Sequence, residues 1–229
     1  MKIALILARV IFIICLPILL FTASIGLAFN SLSLYKYGFS KYNISAVTGL
    51  PPGELEEAAR GLIRYWNSSE EYINMQVMKD GQPFTLFNER EIVHLKDVKD
   101  LVRLDYSALA VAGLYCLAFA LLMFWYRRPV YRRGLAAAGL DGSLLSLGAI
   151  AALGIAALTD FEGFWWQFHL LSFANDFWLL DPTRDYLLMM FPEGFWYDSV
   201  LLIAGLAAVL AVVIGIASWR YLKQTRSAE

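Results

Sequence analysis

Four stretches of this 229-residue chain carry no charged side chain: Val10 to Ala28, Tyr106 to Tyr126, Gly142 to Thr159 and Ser199 to Trp219. Each is close to the ~17–25 apolar residues that an α-helix needs to cross the hydrocarbon of a bilayer. Backbone N–H and C=O groups in hydrocarbon must be satisfied within the protein, so runs of this kind fold as helices. The pattern implies an α-helical integral membrane protein, a single membrane domain with four transmembrane helices at about 3–29, 105–126, 142–159 and 199–219. The 59% apolar composition fits such a chain, against roughly 45–50% in soluble domains. The first run begins behind Lys2 as a signal peptide would. It is far longer than the ~7–15 apolar residues of a secretory core, and Ile13-Ile14 precede Cys15 where a lipoprotein signal has small residues. It is expected to remain as the first span.

Basic residues orient the spans. Arg127, Arg128, Arg132 and Arg133 lie in the connection 127–141, and Arg220, Lys223 and Arg226 in the tail. The segment 160–198 instead holds seven acids and one base, Arg184. Short basic connections stay in the cytoplasm, so both termini and 127–141 are expected inside, and 30–104 and 160–198 outside. The first outer segment reads as a small α+β extracytoplasmic cap, and the second as an aromatic interfacial loop. A net charge of −1 and the lack of a basic stripe argue against a nucleic-acid partner. Cys15 and Cys116 both fall within spans, where buried thiols are expected and neither a disulfide framework nor a surface nucleophile.

Within the cap, Pro51-Pro52-Gly53 opens an amphipathic helix on which Leu55, Ala59, Leu62, Ile63 and Trp66 recur at helical spacing. Asp80-Gly81 between short apolar runs signals a hairpin. Asn88 with Glu91 three residues on predicts a capped helix start, and only Gly113 interrupts good helix formers from there to Tyr126. His94 therefore rides on the outward extension of the second span, with Asp97 one turn away and able to hydrogen-bond the imidazole. Twelve residues separate His94 from Tyr106, about 18 Å of helix. Sharing a site with chemistry at the lipid surface requires that helix to be tilted or sunk into the cap.

The second outer segment holds four of the seven tryptophans: Trp165, Trp166, Trp178 and Trp196. A helix through Trp165 to Trp178 would place His169, Ser172 and Asp176 on one face. Asp181-Pro182 reads as a helix start, and Phe191-Pro192-Glu193 as the end of a short helix from Tyr186 to Met190. Two accounts stand open. In one, Trp166, Phe168 and Phe173 form an aromatic belt, Asp176 caps a neighbouring helix and His169 reaches the headgroups. In the other, His94 and His169, the only two histidines, form a proton-transfer site.

Other chemistries find little support. The chain has no Gly-x-Ser-x-Gly elbow, no glycine-rich phosphate loop and no His-Glu-x-x-His frame. A metal-dependent membrane hydrolase would have to assemble its site from His94, Asp97, His169 and Asp176. A non-enzymatic assembly or lipid-binding protein would use the aromatic loop as an anchor only.

Asn88-Glu-Arg-Glu-Ile-Val-His94-Leu-Lys-Asp97-Val98, followed by Phe168-His169-x-x-x-Phe173-x-Asn175-x-x-Trp178-x-x-Asp181-Pro182 and Met190-Phe191-Pro192-Glu193, resembles the bacterial lipoprotein intramolecular transacylase family, known as Lit. The resemblance covers essentially the whole chain. It implies an acyltransferase of the bacterial cell membrane, with diacylated lipoprotein substrate and membrane lipids as partners and no cofactor. Such enzymes move the sn-2 acyl chain of the diacylglyceryl-cysteine to the cysteine α-amine and leave an N-acyl, lyso-glyceryl product. Donor ester and acceptor amine belong to one molecule, so positioning supplies much of the barrier reduction and no protein nucleophile is required. Proton management remains, and imidazoles suit it. On this reading His94, oriented by Asp97, is the general base, and His169, supported by Asn175 or Asp176, is the acid or oxyanion partner. These two roles are interchangeable on the sequence. Trp166, Phe173 and Trp178 are the expected substrate or interface contacts, and no metal is expected.

Overall fold

The computed structural model describes residues 2–126 and 128–226; Arg127, one of the expected basic-loop residues, lies outside them. Four helices are long and apolar enough to cross a membrane: α1 (Lys2–Phe29), α5 (Glu89–Trp125), α6 (Pro129–Thr159) and α9 (Glu193–Arg226). Their side chains explain why water is the wrong solvent for them. Val111 and Leu114 are each 69% exposed, Ile155 63% and Val209 62%, and contiguous apolar surface of that extent calls for lipid.

All four of these helices outrun their uncharged stretches. α5 begins at Glu89 because Asn88 and Glu91 form the expected capping box: Asn88 Oδ1 accepts from Glu91 N at 3.1 Å, and Glu91 Oε2 accepts from Asn88 N at 2.7 Å. The connection expected at 127–141 is, from Pro129 onward, the first turns of α6, with proline at a position where no amide donor is needed. Charge ends a span but not a helix, which stops only where backbone bonding fails.

The chain forms two compact units. The first comprises residues 1–25, 105–156 and 202–229. Its core is built from Phe12, Leu16 and Leu20 of α1, Cys116, Phe119 and Met123 of α5, Ala138 of α6, and Ala207 and Ala211 of α9. Arg9 and Asp141 pair at 2.6 Å, and both cysteines are free thiols.

The second unit comprises residues 26–104 and 157–201. It contains α2 (Leu32–Lys41), α3 (Ile44–Thr48), α4 (Pro52–Asn67), the strands β1 (Gln76–Lys79) and β2 (Gln82–Thr85), the first turns of α5, then α7 (Phe161–Ser172) and α8 (Tyr186–Met190). The expected amphipathic helix is α4, whose Leu55, Ala58, Ala59, Leu62, Tyr65 and Trp66 are buried. β1 and β2 pair antiparallel with Lys79 opposite Gln82. Asp80 and Gly81 turn between them at φ of 53° and 77°, the left-handed pair that a two-residue hairpin requires. Lys79 Nζ then donates to Thr48 O at 3.0 Å and to Tyr186 Oη at 2.5 Å, fastening the hairpin to the helices beside it. α2 and α3 are short helices that no pattern in the sequence predicts.

Two expectations fail in the region 160–185. The helix expected through Trp165 to Trp178 ends at Ser172, where Phe173 turns extended at φ −125° and ψ 130°. Asn175 Oδ1 accepts from Phe177 N at 3.0 Å, the local side-chain bond by which asparagine competes with helix. Asp181-Pro182 does not start a helix either. Asp181 Oδ1 accepts from Thr183 N at 2.9 Å in a turn, and the helix begins four residues later behind Asp185. Its end at Phe191-Pro192 is as expected.

Candidate active site

His94 lies on the second turn of α5, in the charged stretch that precedes the uncharged run, and it is 7% exposed. His169 lies in the last turn of α7 and is half-buried. The two imidazoles are stacked with centroids 6.1 Å apart and planes inclined by 30°. The long interval between His94 and Tyr106 therefore does not keep the pair apart, since both histidines belong to the second unit.

Aromatic rings wall the pair. Phe173, buried, packs edge-on to His94 at 5.0 Å and lies 5.5 Å from His169. Trp178, also buried, lies 4.9 Å from His169. Trp165 packs edge-on to His169 at 5.0 Å and Phe168 at 5.5 Å. Trp166 touches Trp178 at 4.8 Å but is 48% exposed, so it lines the outside of this cluster. Of the three aromatic contacts expected from the sequence, Phe173 and Trp178 thus adjoin the pair and Trp166 does not.

The polar partners differ from those expected. Asp97 does not orient His94: its Oδ2 accepts from Asn175 Nδ2 at 2.8 Å, and His94 Nδ1 is buried with no hydrogen-bond partner among the described residues. Neither Asn175 nor Asp176 holds His169. That ring is fixed by its own helix, through Nδ1 and the Trp165 carbonyl at 2.8 Å. A carbonyl only accepts, so Nδ1 carries the proton and Nε2 of the neutral ring keeps its lone pair. The side chain of Asp176 is exposed, and its backbone carbonyl accepts from Arg90 Nη2. The i to i+4 relation of Trp165 and His169 was legible as a spacing, but nothing marked the carbonyl as the partner.

Burial sets the electrostatics. It destabilises the imidazolium and pushes the His94 pKa down to about 4, with the neighbouring His169 adding a smaller push in the same direction. Burial lowers that of His169 as well, opposed by the Trp165 carbonyl. Both rings are neutral near pH 7, and each can then accept or donate a proton. Among the described residues, no group of three or more His, Cys, Asp or Glu side chains could hold a metal ion.

Three charged side chains of the second unit are buried by tertiary packing that no local signal marks. Glu91 is 1% exposed and accepts from Leu187 N at 2.7 Å with the oxygen not used in the capping box. Lys99 is equally buried, donates to Ser68 Oγ at 3.0 Å and Glu70 O at 2.6 Å, and lies 3.9 Å above the Tyr65 ring. Asp185 accepts from Asn88 Nδ2 at 2.9 Å and Asp181 N at 2.7 Å. Buried charges of this kind persist only when so satisfied.

A family model described as lipoprotein intramolecular transacylase Lit matches residues 10–196. An uncharacterized protein of Aquifex aeolicus (strain VF5) is 27% identical over 149 residues, 64% of this chain, and the match spans 63% of that relative's length. The fold is that of the membrane integral lipoprotein intramolecular transacylase Lit from Bacillus cereus, with a TM-score of 0.82 and 17% identity over 100% of both chains. Structures of the Bacillus cereus protein with one histidine changed to arginine or to alanine give TM-scores of 0.77, again at 17% identity. They cover 100% and 99% of this chain and 96% and 97% of theirs. With a sequence match that runs through both histidines and a fold shared from end to end, the chain belongs to the lipoprotein intramolecular transacylase Lit family.

Proposed function

We propose that this protein transfers the sn-2 acyl chain of a diacylglyceryl-cysteine lipoprotein to the α-amine of the same cysteine, by general acid/base catalysis at His94 and His169. The stacked imidazole pair, 6.1 Å apart inside an aromatic wall, carries the reading. A neutral imidazole takes a proton from the attacking amine nitrogen as it bonds to the ester carbonyl carbon. The imidazolium then protonates the glyceryl oxygen as the C–O bond breaks, so one proton crosses and none is consumed. Burial acts on the two halves of the relay in opposite senses: it makes the neutral ring a weaker base and the imidazolium a stronger acid. Two close imidazoles also resist being charged together, so the pair carries one proton at a time.

His94 is assigned as base and His169 as acid, with His169 held by Trp165 and not by Asn175 or Asp176. Asp97 and Asn175 act on the pair through the loop they fasten. Phe173 and Trp178 shield the reacting groups from water, and Trp166 contacts substrate acyl chain or lipid. The placement of Arg128, Arg132, Arg133, Arg220 and Lys223 supports cytoplasmic termini and an extracytoplasmic site, where the lipid-anchored headgroup of a mature lipoprotein is presented. The test is expression in a bacterium lacking such an enzyme, with lipoprotein N-termini read by mass spectrometry. N-acyl, lyso-glyceryl cysteine is the expected product, and unchanged diacylglyceryl-cysteine with a free amine refutes the proposal.

A further inference from the structure

Arg90, His94 and Asp97 stand at intervals of four and three on α5, one face of the helix, and each grips the loop that follows His169. Asp97 takes Asn175, His94 packs on Phe173, and Arg90 donates from Nη2 to the Asp176 carbonyl with its guanidinium 6.0 Å from the Phe177 ring centre. Arg90 spends one donor on that carbonyl. Its Nε is buried and has no hydrogen-bond partner among the described residues. A buried donor left unpaired is costly, and it calls for an acceptor that binds there.

Arg90 precedes His94 by one helical turn on the same face of α5, where Cβ atoms stand ~5–6 Å apart, and its guanidinium rests on the loop that also carries Phe173 against His94. Its charge is permanent, so it is a donor at every working pH. Resting on the transacylase reading above, we propose that Arg90 Nε–H binds the carbonyl oxygen of the sn-2 ester and stabilises the oxyanion. When the amine nitrogen bonds to the carbonyl carbon, the C=O π pair moves onto that oxygen and the new charge meets the guanidinium. When the pair returns, the glyceryl C–O bond breaks and the oxygen leaves with the proton carried by the histidines. The Asp176 carbonyl fixes the guanidinium in advance, which is the condition for such a donor to act without reorganisation.

The test uses the full chain in proteoliposomes with a synthetic diacylated lipopeptide, and compares wild type, Arg90→Gln, Arg90→Lys and Asn175→Ala. Loss of one oxyanion donor lowers kcat by about 10²–10³-fold, so Arg90→Gln is expected to lose that much with KM and the pH profile little changed. Arg90→Lys is expected to recover only part, because a point charge replaces a directed N–H. Asn175→Ala keeps the guanidinium but loosens the loop that carries the Asp176 carbonyl and Phe173, and is expected to change KM, the pH profile and the unfolding temperature together. Arg90→Gln turning over near the wild-type rate overturns the inference. So does an Arg90→Gln defect that matches Asn175→Ala in KM, pH profile and lowered unfolding temperature, which would make Arg90 a loop clasp only. A wild-type protein that forms no N-acyl product refutes the transacylase reading and this inference with it. An active wild type matched by Arg90→Gln refutes the role of Arg90 alone.

Discussion

Asn175 reaches from its loop to Asp97 on α5 with a 2.8 Å hydrogen bond, while its own carbonyl oxygen accepts from Phe177 N at 3.0 Å. One side chain thus shapes the loop and fastens it. The loop carries Phe173 and Trp178, the rings that flank the histidines, so this bond helps set where His169 meets His94.

Asp97→Ala and Asn175→Ala are therefore expected to impair acyl transfer to similar extents. The double variant should be little worse than either, because both remove one contact. A double-mutant cycle on thermal stability is expected to give a coupling of about 0.5–3 kcal/mol. Additive losses would show that the two residues act separately.

Replacing His94 or His169 by Ala is expected to lower kcat/KM by about 10²–10⁴-fold, the range of a lost general acid or base. Quantitative mass spectrometry of lipoprotein N-termini reads this directly. A variant that N-acylates its substrate fully has lost no catalytic group.

Acid should destabilise the fold through His94. Its folded pKa of about 4 lies below the ordinary histidine value of 6.5, so the unfolded chain binds the extra proton between these values. Stability from this residue is complete above pH 6.5 and is lost as pH falls toward 4, at most about 3 kcal/mol. His94→Phe, which cannot titrate, is expected to flatten the fall in unfolding temperature between pH 6.5 and 4. An unchanged slope would assign acid lability to other groups.

The acid limb of the rate should belong to the substrate. Both imidazoles are neutral at pH 7, whereas a free α-amine titrates near ~7.7–8.0. Below that value the reactive amine falls about tenfold per pH unit, and kcat/KM is expected to follow it. A break at pH 6–7 that vanishes in His169→Gln would mean that His169 titrates there instead.

Gly38 is expected to refuse even one methyl group. A Cβ there would stand 2.3 Å from Cδ2 of the Phe195 ring, and Phe195 packs on Tyr35 and Phe191 and has nowhere simple to move. Gly38→Ala should cost about 1–3 kcal/mol, read as a lower unfolding temperature. A neutral outcome would mean the helices can part at this point.

Elements whose signals are local were legible in the residues. Uncharged runs gave the four long helices, Asn88 and Glu91 the start of α5, Pro52 the start of α4, and Asp80-Gly81 the hairpin. Each rests on solvent preference or on a bond between near neighbours. The end of α7 at Ser172 and the turn at Asp181 differ from the expected helices, because side chains of Asn and Asp bond their own backbone in preference to continuing or capping a helix.

The two histidines could be named from the sequence, but their partners could not. Spacing offers Asp97 to His94 one turn away, yet Asp97 turns to Asn175 and His169 turns to the Trp165 carbonyl. Which of several acceptors a donor takes depends on what packing brings within 3 Å, and on what it buries. Only the tertiary structure stacks the imidazoles, closes Phe173 and Trp178 around them and removes the water that would keep His94 near its ordinary pKa. Residue type and period determined the helices, and desolvation by distant parts of the chain decided the chemistry.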